Sequence, residues 1–295
     1  MRIAVCFSGL AYGKGCAWKA RDVECLVSLD TIRKFVYQDY QCDTYFHAWI
    51  DNEETEKKLC ALLKPKAYRA EEQIVFHEDA QFNDPKLYNI TSSPSKANKT
   101  RNHDALSQIF SRTESIKLAL QAAEEEKYDF IIVLRFDLHF KAPINFKSLS
   151  KEFLYEGGYR SKKCVHHDFF FIGSPAVMQS LVPMYQFVQE GVDSGKRIIR
   201  DIHRHVYGQF FADTSHETPS TKVILQYKKN FDYVRELPHR LKVKMRAKLQ
   251  REVDSALQTG DVNQYLSRNT SRVNTSRVNT TTWEQLLVDH DYHTL

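Results

Sequence analysis

The chain lacks any apolar run long enough to span a bilayer, and its opening residues are not expected to act as a secretory leader. Arg2-Ile3-Ala4-Val5-Cys6-Phe7-Ser8-Gly9 is too short a greasy stretch for export and reads as a first β-strand. Its six cysteines include no CxxC pair, which argues against common zinc and thiol–disulfide sites and suits buried thiols in a reducing compartment. There is no GxGxxG and no P-loop lysine motif, which argues against dinucleotide oxidoreductases and P-loop kinases. GxSxG and HExxH are missing as well. The excess of one charge sign is small: 42 Lys and Arg against 37 Asp and Glu leave a net charge of +5, compatible with anionic substrates and too weak to argue for nucleic acid. Sequons at Asn89, Asn98, Asn269, Asn274 and Asn279 are expected to stay unmodified in a cytoplasmic protein.

What is present is a core. Hydrophobic residues make up 42% of 295 and aromatics 12%, enough for one large α/β domain. Strand-like segments at 3–7, 43–49 and 66–74 alternate with helical patterns at 22–37 and 53–63, the rhythm of a parallel sheet. Residues 78–104 show little apolar periodicity and read as a long surface loop; 105–126 reads as a helix. A strand pair is expected near Gly157-Gly158-Tyr159 and 169–172, and a helix over 175–188. Beyond 235 the chain turns basic, with Leu237, Leu241, Met245, Leu249 and Val253 recurring every four residues. That stripe predicts a helix docked by its apolar side, with solvated cations; a membrane-surface contact is the sharper alternative. The tandem Ser271-Arg-Val-Asn-Thr repeat reads as a flexible linker.

The chemistry gathers at two places. Tyr128 to Phe140 reads as one buried strand, and alternation would set Asp137 and His139 on one side of its end. A carboxylate and an imidazole so placed form half of a divalent-metal site, with phosphate oxygens completing the shell. Arg135, in phase with them, adds a fixed charge suited to phosphate. The second place is Cys164-Val165-His166-His167-Asp168, abutting the apolar Phe169-Phe170-Phe171-Ile172. There Asp168 could act as a general base, and His166 or His167 could complete a metal shell or bind substrate; a polar turn between strands is the plainer alternative. Ser8 and Gly9, after the first strand, would permit close approach of a base or ribose. Ser107, Arg112 and Lys117 could supply polar or phosphate contacts, though such residues are commonly solvated.

The opening Ile3-to-Gly9 block, Asp43-Thr44-Tyr45-Phe46-His47-Ala48-Trp49, Ser107-Gln108-Ile109-Phe110-Ser111, Tyr128-Asp129 through Leu138, and His167-Asp168 through Gly173 with Met178 resemble, in that order, GT-A-type glycosyltransferases. Such sequences are frequent in large DNA viruses of algae and protists and in bacterial polysaccharide clusters. The resemblance implies a GT-A-like α/β domain over residues 1–235, with a mostly parallel sheet flanked by helices. A basic helical extension (236–266) and a linker with terminal segment (267–295) lie outside it. It further implies a UDP-sugar donor, Mn²⁺ or Mg²⁺ on the diphosphate, and a glycan acceptor. The family's Asp-x-Asp maps onto Asp137-Leu138-His139, with His139 in place of the second carboxylate. Asp168 falls where inverting members keep their base. Two rivals stand beside this expectation: a sugar nucleotidyltransferase and a catalytically degenerate glycan-binding module.

Overall fold

A computed structural model describes residues 1–14, 22–37, 39–74, 96–158, 167–193, 206–212, 219–226, 229, 231–233 and 239–260. The linker, the terminal segment and His166 lie outside these residues, as do Cys16, Cys164, His203 and His205. The chain is α/β, built on a seven-stranded, mostly parallel mixed sheet. Its strands are β1 (Arg2–Leu10), β2 (Gln41–Trp49), β3 (Ala67–Glu71), β4 (Phe130–Arg135), β5 (Leu154–Gly158), β6 (Phe170–Gly173) and β7 (Thr221–Gln226). The order across the sheet is β7-β5-β6-β4-β1-β2-β3. Only β6 runs against its neighbours; the other pairings are parallel.

Strands covered on both faces need apolar residues at every position, which is why Ile3–Phe7 and Phe130–Leu134 read as unbroken runs. Alternation then divides them between two cores. Ile3, Val5, Phe7, Ile132, Leu134, Phe170 and Ile172 face one side. That side is closed by α1 (Cys25–Ile32), α2 (Glu53–Leu63) and the final helix. Ala4, Cys6, Ile131, Val133 and Phe171 face the other, under α3 (Lys96–Glu126) and α5 (Met184–Asp193), with the short α4 (Pro175–Gln179) and α6 (Gln209–Ala212) beside them. Burying one such Phe or Ile contributes about 1.5–3 kcal/mol.

Local signals set several ends. Asn52 caps α2, its Oδ1 accepting from the Thr55 N–H at 2.9 Å, and Glu53, Glu54 and Glu56 favour the positive end of the helix. Lys64, at φ 43°, ends it by donating its N–H to the Cys60 carbonyl. Pro175 opens α4 behind the Ser174 cap. Within the stretch expected to be loop, residues 96–104 are instead the first turns of α3. The helix expected over 175–188 is two, α4 and α5, separated by a turn at 180–183.

The expected Tyr128–Phe140 strand is corrected. It stops at Arg135, turns through Phe136–Asp137, and resumes as Leu138–Phe140, which pairs antiparallel with Phe231–Tyr233 in a separate ribbon. The final helix, α7 (His239–Gln258), docks as its stripe predicts: Met245, Leu249 and Val253 are buried, the last two in the α1/α2 core. Lys248 pairs with Asp30 and Arg33 with Glu252 along that seam.

At the amino ends of the strands, Arg2 works as a latch. Its Nε donates to Asp43 Oδ2 at 2.8 Å and its backbone N–H to Asp129 Oδ2 at 3.0 Å, while the Asp129 N–H returns a bond to the Arg2 carbonyl at 2.8 Å. Tyr128 donates its hydroxyl to the same Asp43 oxygen at 2.9 Å. This joins β1, β2 and the entry to β4 away from the carboxyl ends.

Candidate functional site

From β1 the chain winds outward through β2 and β3, then α3 carries it back over the opposite face to β4 on the other side of β1. In open α/β sheets ligands bind beyond the carboxyl ends of the two strands that flank such a reversal, here β1 and β4. Those ends are Ser8-Gly9-Leu10 and Arg135-Phe136-Asp137. Gly9 has φ +102°, and a Cβ there would meet nothing within 4 Å. The backbone is therefore bare at that point, and other residues would adopt this φ only under strain.

Register lines up Arg69, His47, Ser8 and Arg135 across β3, β2, β1 and β4, a polar row in an otherwise apolar sheet. α3 lies over the row. Ser111 Oγ accepts from the Gly9 N–H at 2.6 Å and lies 2.8 Å from His47 Nδ1. His47 Nε2 meets Glu71 Oε1 at 2.9 Å; since a carboxylate can only accept, that nitrogen carries a proton. The Ser111 hydroxyl has one proton to give, either to Nδ1 or to the His47 carbonyl at 3.1 Å. Arg69 binds Glu71 at 2.8 Å and Glu114 at 3.1 Å. Burial works to raise the Glu71 carboxyl, but His47 and Arg69 outweigh it and hold it below its ordinary value. Glu114 is held low in the same way, against burial, by Lys117, His47 and Arg69.

Around β4 the charges interlock. Arg135 grips Asp137 with a two-pronged fork, Nε to Oδ1 at 2.8 Å and Nη2 to Oδ2 at 2.9 Å. Its Nη1 donates to Asp168 Oδ2 at 2.9 Å. Gln108 donates to the same oxygen at 2.8 Å. Arg112 is buried, donating Nη2 to the Asp168 carbonyl at 2.6 Å and Nη1 to the Tyr207 hydroxyl, with Phe171 5.0 Å beneath its guanidinium. Burial pushes the Tyr207 phenol up to about 12, so it stays protonated. Side-chain exposure falls from 20% at Arg135 to 12% at Asp137 and 7% at Asp168, so the cluster is largely buried, with Arg135 its most exposed member.

Four of the expected residues thus meet, Arg112, Arg135, Asp137 and Asp168, and Gly9 follows Ser8, which lies opposite Arg135 in the sheet register. Ser8 is buried and bonds the Leu134 carbonyl at 3.2 Å, supporting the strand end from within. Asp137 and His139 do not share one strand face, because the turn intervenes and His139 belongs to the ribbon, opposite Asp232. His167 is buried, its N–H donating to Glu156 Oε2 at 3.1 Å and its ring stacked on Phe169. Ser107 is buried against Gln73, and Lys117 pairs with Glu114. Sequence reasoning did not single out His47, Arg69, Glu71, Gln108 and Ser111 as site residues. Polar residues recurring at the ends of successive apolar strands were the available signal.

The cation implied by the resemblance does not fit this arrangement. Both Asp137 oxygens already receive a guanidinium N–H, and a divalent ion bound to either would sit against that charge. Among the described residues, no group of three or more His, Cys, Asp or Glu is placed to hold a metal, and no helix is long and apolar enough to cross a membrane. In comparisons with known proteins, no family model matches the chain and no curated protein matches it significantly.

Proposed function

We propose that the chain is a GT-A-type glycosyltransferase that moves a sugar from a nucleoside diphosphate, a UDP-sugar by preference, to a glycan hydroxyl. The observation that carries this reading is the meeting of Arg135, Asp137 and Asp168 at the strand ends where the winding of the sheet reverses, with Gly9 on the neighbouring strand end. A bare backbone beside a fixed guanidinium suits a nucleotide and its diphosphate. Asp168 is the base of this scheme. As the acceptor oxygen attacks the anomeric carbon, its proton passes to the carboxylate and the bond to the diphosphate breaks. Gln108 and Arg135 hold Oδ2 and so fix the plane of that carboxylate. The cysteines Cys6, Cys25 and Cys60 are all buried, which supports a reducing, cytoplasmic setting.

The test is calorimetry of the purified chain with UDP-glucose, UDP-galactose, UDP-xylose and GDP-sugars, followed by assay for released nucleoside diphosphate. One donor should bind and be turned over, slowly with water and faster with an acceptor. If none binds, the reading is wrong. A second reading, a binding module that has lost turnover, is favoured by one observation: Arg135 already engages Asp168, the proposed base. Tight donor binding without release of product, across an acceptor panel, would select it.

A further inference from the structure

We infer that Arg135 stands where a divalent cation would otherwise sit, so that the site takes a nucleoside diphosphate without metal. The inference rests on the glycosyltransferase reading and concerns how the same site handles charge. Two carboxylates from distant parts of the chain, Asp137 and Asp168, converge on one positive centre, and that centre is a side chain. All three guanidinium nitrogens point at carboxylate oxygens, between 2.8 and 2.9 Å. Three charge-assisted bonds in a planar fork fix the cation's position as closely as coordination would, but with a single positive charge. A second cation inside the same pair of carboxylates meets repulsion from the first.

Asp168 is itself anchored from α3, by Gln108 on its carboxylate and Arg112 on its carbonyl. The guanidinium therefore rests on a built frame. When a diphosphate arrives at the ends of β1 and β4, the positive charge it finds is already in place. The guanidinium can share its field with the phosphate oxygens, as an arginine does in stabilising a departing phosphate.

Two measurements test this. In the first, UDP is titrated into wild-type protein by calorimetry, once in EDTA and once in Mn²⁺. We expect affinities within about twofold of each other. Binding at least about tenfold tighter in Mn²⁺ would overturn the inference while leaving the glycosyltransferase reading intact. No binding of UDP or of any nucleotide sugar in either buffer would remove both. In the second, Mn²⁺ binding is followed by electron paramagnetic resonance without nucleotide. Wild type should leave the ion free, whereas Arg135→Gln, which strips the cation from between two carboxylates, should acquire a site. Arg135→Lys, keeping the charge, should stay without one. Wild-type protein that binds Mn²⁺ as well as Arg135→Gln does would show that the guanidinium yields its place to metal. The wild-type comparisons need no variant to fold.

Discussion

A carboxylate that accepts a proton from a sugar hydroxyl must be held still, and Asp168 is held by Gln108 and Arg135 on one oxygen and by Arg112 through its carbonyl. Asp168→Asn keeps the shape and removes the basicity. We expect transfer to fall about 10²–10⁴-fold, with UDP affinity changed no more than about threefold, because Asp137 still grips Arg135. Equal loss of binding and turnover would make Asp168 a donor-binding residue instead. The polar row yields a second expectation. Glu71 titrates below its ordinary value of 4.5 in the folded chain, so its contribution to stability is complete above about pH 4.5 and is lost as acid carries the pH through the lower folded value. In urea melts across that range, Glu71→Gln should trail wild type near neutrality and converge with it in acid. A gap that stays constant with pH would take Glu71 out of the acid-sensitive set.

At the scale of elements, much of the sheet was legible because a strand buried on both faces leaves a short apolar run, which β-branched and aromatic enrichment separates from a buried helix. Other parts were not: Thr221–Gln226 and Phe231–Tyr233 drew no expectation, Asp22–Glu24 is a short strand where a helix was expected to begin, and two further features misled. The turn at Phe136–Asp137 carries no glycine or proline, and the residues on both sides of it are strand-forming, so the period continues unbroken through the bend. The opening of α3, Lys96 to Asp104, is polar apart from Ala97, and a helix without an apolar stripe has no period to read. The site was half legible for a related reason. Local spacing put Arg135 beside Asp137, but only the crossing of β6 beside β4 brings Asp168 to them, 33 residues later. Packing between those elements can be probed at Gly157 in β5. A Cβ there would lie 2.3 Å from the Phe170 ring and within 2.9 Å of two more of its atoms. Gly157→Ala should cost about 1–3 kcal/mol by overpacking, read as a lowered urea midpoint with unchanged slope. An unchanged midpoint would mean that Phe170 swings aside freely.

For the molecule as a whole, the docked α7 leaves Arg240, Lys244, Arg246 and Arg251 exposed, so much of the excess positive charge has a location. Each such cation near an anionic bilayer is worth about 1 kcal/mol, and screening removes that attraction. Vesicles containing phosphatidylserine should co-sediment the protein at low ionic strength and release it at about 0.5 M salt. Retention equal for neutral and anionic vesicles would assign the face to solvation alone, and Lys244→Glu with Arg251→Glu should abolish the charge-dependent part. The latch at Arg2 bears on how any of this is measured. It pins the start of β1 at the end of the sheet remote from Gly9 and Arg135, so a tether joined ahead of Met1 emerges at the end opposite those residues. Protein captured on a sensor chip by that end would keep the carboxyl ends of β1 and β4 turned toward the flowing analyte.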